Sequence, residues 1–168
     1  MQVRKLSISE FDRIFSEIEK NFIPDERRDY PEAKARFESG EYDVLEFSSD
    51  GIPIGFITVW NFSDFVFLEH FVIYEEYRNH GYGSLALAEL KSLFPKMILE
   101  AEPPFGGLQA RRLAFYRRNG FFENEKKYLQ PSYRDGGNEV PLVIMSYPEV
   151  LDDFDRPISL IKRKVYQK

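Results

Sequence analysis

Residues 65–74 read Phe65-Val66-Phe67-Leu68-Glu69-His70-Phe71-Val72-Ile73-Tyr74; then come Glu75-Glu76-Tyr77-Arg78-Asn79-His80-Gly81-Tyr82-Gly83-Ser84 and a run with Ala86, Leu87, Leu90, Leu93 and Phe94 at helical spacing. The first segment is apolar on both faces apart from Glu69 and His70, as a strand covered from both sides must be. The last segment has a 3.6-residue apolar period and predicts a helix. Between them, two glycines stand where the strand turns into the helix. Glycine permits close backbone approach to a ligand, and free N–H groups at a helix N-terminus attract anions, so phosphate is the natural occupant. The loop lacks the third glycine and following acidic residue of a dinucleotide fingerprint. No Gly-Lys-Ser/Thr follows, so it is not a P-loop either.

Upstream, Ser9 with Asp12 can cap an amphipathic helix over residues 9–22, with Phe11, Ile14, Phe15, Ile18 and Phe22 on one face. Pro24 ends it, and a weaker helix is expected between Asp25 and Ser39, stopped by Gly40. Residues 42–47 and 52–60 read as strands around a Ser-Ser-Asp-Gly turn, a β-hairpin. Downstream, Met97 to Ala101 is a short strand, Leu108 to Asn119 a helix closed by Gly120, and residues 121–129 and 139–147 a second hairpin around Asp135-Gly136-Gly137-Asn138. Because a helix connects strands 65–74 and 97–102, those two should be parallel neighbours. The expected fold is mixed α/β: a mostly antiparallel sheet of six or seven strands with one parallel pair, flanked by helices on both faces. Residues 1–147 form a single domain in this reading and 148–168 a tail, where Ile158, Ile161 and Val165 permit one more helix.

The chain has 168 residues, enough for one domain with a sizeable core. Its net charge of −5 disfavours nucleic acid as the main partner. With no cysteine there is no disulfide, thiolate metal site or cysteine nucleophile. The two histidines, His70 and His80, lack the spacing of a metal pair, so no metal is expected. No apolar run reaches the roughly 18 residues of a membrane span, and no leader-like apolar segment opens the chain, so a soluble cytoplasmic protein is the expectation.

The run from Leu68 through Arg78-x-x-Gly81-x-Gly83 to Leu87 resembles the acetyl-CoA signature of the GNAT superfamily of N-acetyltransferases. A second segment, Tyr116-Arg117-Arg118-Asn119-Gly120-Phe121, resembles the family's Tyr-x-x-x-Gly-Phe. The resemblance covers roughly residues 42–147. It implies that acetyl-CoA is the co-substrate, that Arg78, Asn79, His80, Gly81, Tyr82, Gly83 and Ser84 cradle its pyrophosphate, and that Phe71, Val72 and Ile73 pair with the pantetheine arm as with an added strand. The family usually has an asparagine about seven residues before the tyrosine; here Gln109 stands in its place.

The resemblance further implies transfer of the acetyl group to a primary amine by direct attack in a ternary complex. Such a reaction needs a neutral amine, a stabilised oxyanion and a proton for the departing thiolate. Tyr116 matches the tyrosine that supplies this proton and touches the cofactor. For the base, Glu69 is the first candidate, because desolvation in an apolar strand raises a carboxyl pKa. Glu100 and Glu102, which share a face of the next strand, are the others, and any of the three can instead be structural. Glu69 and His70 are adjacent and should point to opposite faces, leaving one of them toward the amine. His80 reads as solvent-facing, while Phe22, Tyr30, Tyr128, Pro131 and Tyr133 are candidates for an aromatic acceptor wall. Arg111, Arg112, Arg117 and Arg118 either collect coenzyme phosphates or coat their helix. The acceptor is expected to be a small molecule, with a protein or peptide amine as the alternative enzyme reading and a non-catalytic coenzyme-A sensor as the alternative class. A homodimer is compatible with the family.

Overall fold

The computed structural model describes all of residues 1–168. Its elements are β1 (Gln2–Lys5), α1 (Phe11–Asn21), α2 (Tyr30–Glu38), β2 (Asp43–Ser49), β3 (Ile52–Asn61), β4 (Val66–Ile73), α3 (Tyr82–Leu93), β5 (Met97–Ala101), α4 (Gly107–Arg118), β6 (Phe122–Glu123), β7 (Tyr128–Gln130), β8 (Val140–Tyr147) and α5 (Asp155–Ile161), which continues as a wider turn over Lys162–Tyr166. The strands form one sheet in the order β1-β2-β3-β4-β5-β8-β6, with β7 also on β8. Every pairing is antiparallel except β4 with β5, as the connecting helix requires.

There are eight strands rather than six or seven. The added edge strand β1, Gln-Val-Arg-Lys, is mostly exposed and has no alternation to betray it. The stretch 121–129 is not one strand but two short ones, β6 and β7, each paired with β8. Helix α1 is entered through Ser7 rather than Ser9: the Ser7 N–H donates to the Glu10 carboxylate at 3.2 Å, and a single 3₁₀ turn precedes Phe11. The second helix is shorter than the span 25–39, because Pro31 fixes its first turn and Asp29 stands at its N-cap. The turn between β2 and β3 has left-handed Asp50 (φ 51°) and Gly51 (φ 78°), the twist a tight hairpin needs.

Helices cover both faces. One face of the sheet packs Phe56, Trp60, Phe67, Val72 and Ile98 against α1, α2 and α5. The other packs Ile57, Val59, Leu68 and Leu99 against α3 and α4. Within residues 148–168 the chain forms the helix that the spacing of Ile158, Ile161 and Val165 permits, and these residues with Tyr166 are buried in the first of these cores. The guanidinium groups of Arg28 and Arg36 donate to the Val165 carbonyl at 2.5 and 2.8 Å, placing positive charge at the C-terminal end of the last helical turn.

Candidate active site

The parallel pairing of β4 with β5 stops at Leu68 opposite Leu99. There β4 carries a bulge: Ile57 faces Phe71 and Val59 faces Leu68, so Glu69 and His70 together oppose Thr58. The extra residue resets the alternation. Phe67, Glu69, His70 and Val72 all stand on the α1 side, whereas strict alternation would have sent Glu69 and His70 to opposite faces. Beyond the bulge a cleft of about 360 Å³ opens, lined from β4 by residues 69–73 and from β5 by Glu100, Ala101 and Glu102. Asn21, Phe22 and Glu26 close it from the α1–α2 segment, Gln130, Tyr133 and Leu142 from β7–β8, and Leu108, Arg112 and Tyr116 from one side of α4.

Glu69 is the most heavily bonded carboxylate in the cleft. It accepts from Arg28 Nη1 at 2.7 Å, Trp60 Nε1 at 2.8 Å and Tyr133 Oη at 2.9 Å. Arg28 is buried and also lies over the rings of Trp60 and Tyr133, 4.9 and 4.8 Å from their centroids. Burial alone pushes Glu69 up, but Arg28, His70 and the donated hydrogen bonds outweigh it and hold the carboxyl below the ordinary range. The expected rise is therefore reversed, because the desolvated charge has a full set of partners. His70 is buried between Phe22 and Tyr133, its Nε2 3.1 Å from the Glu26 carbonyl, and burial lowers its pKa.

Glu100 has the opposite balance. Its oxygens accept from Tyr128 Oη at 2.5 Å and Tyr166 Oη at 2.6 Å, with no cation in contact. Burial raises its pKa, the two hydroxyls lower it, the Glu69 charge raises it, and it comes to about 7. Glu102 on the same face pairs with Arg112 at 2.7 Å. Tyr116 faces the cleft from α4; burial pushes its hydroxyl up to about 12, keeping it protonated at neutral pH.

Arg78 donates from Nε to the Ile73 carbonyl at 2.9 Å and from Nη2 to Asn21 Oδ1 at 2.6 Å, tying the free end of β4 to α1. The loop after it suits a pyrophosphate. The N–H groups of residues 79–83 donate to no backbone carbonyl. Asn79 and Gly81 are left-handed (φ 65° and 82°), and the space around Gly81 is open. Gly83 serves a different purpose, since a Cβ there would meet the Phe115 ring at 3.1 Å. Thus Phe71, Val72, Ile73, Arg78, Tyr116 and the three carboxylates share the cleft, whereas residues 79–84 stand beyond its Arg78 end. Gln109 is not in the cleft; its side chain turns toward Gly106. Of the aromatic wall, Phe22 and Tyr133 line the cleft, Tyr128 bonds Glu100, and Tyr30 packs on Phe11 and Phe15 instead.

Sequence reasoning missed Arg28, Trp60, Thr58 and Tyr166. Arg28 lay within a charged stretch that reads as surface, and Tyr166 within the tail. The one available signal was an arithmetic one: a carboxylate in a buried strand requires a partner.

The parallel pairing thus ends beside a bulge and opens a cleft, with a glycine loop leading from it into a helix. The Acetyltransferase (GNAT) family model matches residues 8–121. The chain belongs to that family, whose acyl donor is acetyl-CoA. No match was found among curated protein sequences. A structure from Bacteroides thetaiotaomicron, described as a GNAT-family acetyltransferase, is 29% identical with a TM-score of 0.93 and covers 100% of this chain and 99% of its own. The ribosomal-protein-alanine N-acetyltransferase of Brucella melitensis shares the fold at 20% identity and TM-score 0.59, covering 90% of this chain and 100% of its own. An aminoglycoside 6'-N-acetyltransferase complexed with coenzyme A does so at 13% identity and TM-score 0.64, covering 91% and 100%. No group of three or more metal-ligating side chains is present, and no helix is long and apolar enough to cross a membrane.

Proposed function

We propose that the protein is an N-acetyltransferase that moves the acetyl group of acetyl-CoA to a primary amine of a small molecule, by direct attack in a ternary complex. The observation that carries this reading is the Glu100 carboxyl, buried at the cleft wall with Tyr128 and Tyr166 bonded to its oxygens and no cation in contact; burial raises its pKa, to about 7, which suits a group that takes a proton from an ammonium. Glu69, held ionised by Arg28, serves as a fixed charge rather than as the base. The pyrophosphate sits on the N–H groups of residues 79–83, and the pantetheine arm runs along Phe71 to Ile73, where β4 has no β5 partner. When acetyl-CoA is bound its thioester supplies the electrophile. Glu100 deprotonates the amine, directly or through a water, and Tyr116 gives a proton to the thiolate that leaves.

The acceptor half of the cleft favours a positively charged molecule. Glu26 has no ion-pair partner there, while the cations Arg28 and Arg112 are paired with Glu69 and Glu102; Arg78 stands at the coenzyme end of the cleft. Phe22, His70 and Tyr133 line one side of the cleft, whose volume of about 360 Å³ suits a compact acceptor. The test is release of free thiol from acetyl-CoA against a panel of cationic, neutral and carboxylate-bearing amines and of peptides. Turnover confined to small cationic amines is expected. Turnover with peptides alone would move the acceptor to the protein class, and firm acetyl-CoA binding without any turnover would favour a sensor.

A further inference from the structure

The Glu100 carboxylate is held by two segments remote from it in sequence. Tyr128 comes from β7, and Tyr166 comes from the last helical turn of the chain. The donor roles are fixed by a third contact: Gln130 Nε2 donates to Tyr166 Oη at 2.9 Å, so that hydroxyl spends its own hydrogen on Glu100. The backbone carrying Tyr166 is itself anchored, because Arg28 donates to the Val165 carbonyl with one nitrogen and to Glu69 with another. The buried Arg28–Glu69 pair thus joins β4 to the residue that orients the carboxylate on β5.

We propose that Tyr128 and Tyr166 are positioning residues of the acid–base machinery: each holds one oxygen of Glu100 and so fixes the carboxylate at the cleft wall, and the C-terminal turn is a working part of the site. This rests on Glu100 being the base. Tyr128 from β7, Tyr166 and Lys162 from the C-terminal segment, and Glu69 from β4 all face Glu100. Each hydroxyl favours the ionised carboxylate, as does Lys162, whereas burial and the Glu69 charge oppose ionisation. Removal of one hydroxyl therefore has a definite sign: Glu100 must titrate at higher pH.

The experiment is a carbon-13 NMR titration of the full-length protein labelled at the glutamate carboxyl carbons, with the Glu100 signal identified by its loss in Glu100→Gln. In Tyr166→Phe and in Tyr128→Phe the Glu100 midpoint is expected to rise by about one unit, a tenfold change in its protonation equilibrium. The acidic limb of kcat/KM, measured with an amine accepted in the panel, should move the same way. Tyr30→Phe, which removes a hydroxyl bonded to surface Asp12, should leave both unchanged. Folding of each variant is checked by its thermal midpoint. An unmoved Glu100 midpoint in both folded variants overturns the positioning role. If Glu100→Gln instead retains the acidic limb while the midpoint still rises in the tyrosine variants, the base assignment falls and the orienting contacts stand.

Discussion

Glu69 and His70 are neighbours in sequence whose side chains stand on the same face of the sheet, both turned to Thr58, whose Oγ1 lies 3.5 Å from Glu69 Oε2 and 3.4 Å from His70 Nδ1. A bulge makes this possible, and its cost is an extra residue left without a ladder partner. Thr58 makes up the loss, for the His70 backbone N–H donates to Thr58 Oγ1 at 2.9 Å. One threonine thereby stabilises the feature that separates β4 from β5 and opens the cleft.

Replacing Thr58 by valine keeps the shape but leaves that buried N–H without an acceptor. The expected loss of stability is about 1–3 kcal/mol, read from urea denaturation, while Thr58→Ser should recover most of it. Equal stability of the valine and serine variants would show that the bulge does not depend on this hydroxyl.

Glu69→Gln removes the counter-charge of a buried guanidinium, and breaking a buried pair of this kind costs about 3–5 kcal/mol. The pH dependence follows from the direction of the Glu69 shift. Its folded-state pKa lies below the unfolded value, so its stabilisation is complete above the unfolded pKa and is lost as pH falls through the folded one. Glu100 works in the other sense: its folded pKa is raised to about 7, so its contribution is complete below the unfolded pKa and declines as pH rises toward 7. Acid unfolding of Glu69→Gln should therefore be less steep than that of the unmodified protein. Its kcat/KM should keep an acidic limb, which Glu100→Gln should lose.

The strand order around the parallel pair, the covered strand, the glycine loop and the shared face of Glu100 and Glu102 were legible because each is a local pattern of apolar period and turn residue. The bulge was not, since it arises from pairing with Thr58 on another strand and leaves no mark on the alternation of residues 65–74. The fate of Glu69 was illegible for the same reason. A buried carboxylate is a base or half of an ion pair according to what faces it, and Arg28 reaches it across 41 positions of sequence. Tyr166 was hidden in a tail whose apolar spacing suggested a helix and gave no hint that its hydroxyl ends on Glu100.

The two glycines of the loop should respond differently. Gly81→Ala places a Cβ in open space but in a left-handed conformation that costs roughly 1–2 kcal/mol, and acetyl-CoA affinity should fall as the loop rearranges. Gly83→Val drives its side chain into Phe115, so it should lower the thermal midpoint through overpacking of about 1–3 kcal/mol. Calorimetry and thermal unfolding on both variants separate the effects. A Gly81→Ala protein with unchanged acetyl-CoA affinity would mean that the loop conformation does not govern coenzyme binding.

Tyr116 faces the cleft with a hydroxyl that burial keeps protonated, and no carboxylate bonds to it. Its hydroxyl can hydrogen-bond the thiolate that leaves coenzyme A and pass it a proton as negative charge develops on the sulfur, in concert with breakdown of the tetrahedral intermediate. Its packing rests on the ring, which lies edge-on to Phe115 and Phe121 at 5.3 and 5.8 Å, so Tyr116→Phe removes the proton while keeping the core. Turnover in the chemical step should drop by about a hundredfold to ten-thousandfold, with acetyl-CoA affinity nearly unchanged. Single-turnover kinetics must be the measure, since slow product release masks a slowed chemical step. The loss should be smallest with a thioester whose thiol is more acidic than that of coenzyme A, because such a thiolate needs no proton to leave. A Tyr116→Phe enzyme with full single-turnover rate on acetyl-CoA would remove the tyrosine from the reaction and leave the thiolate to be protonated from solvent.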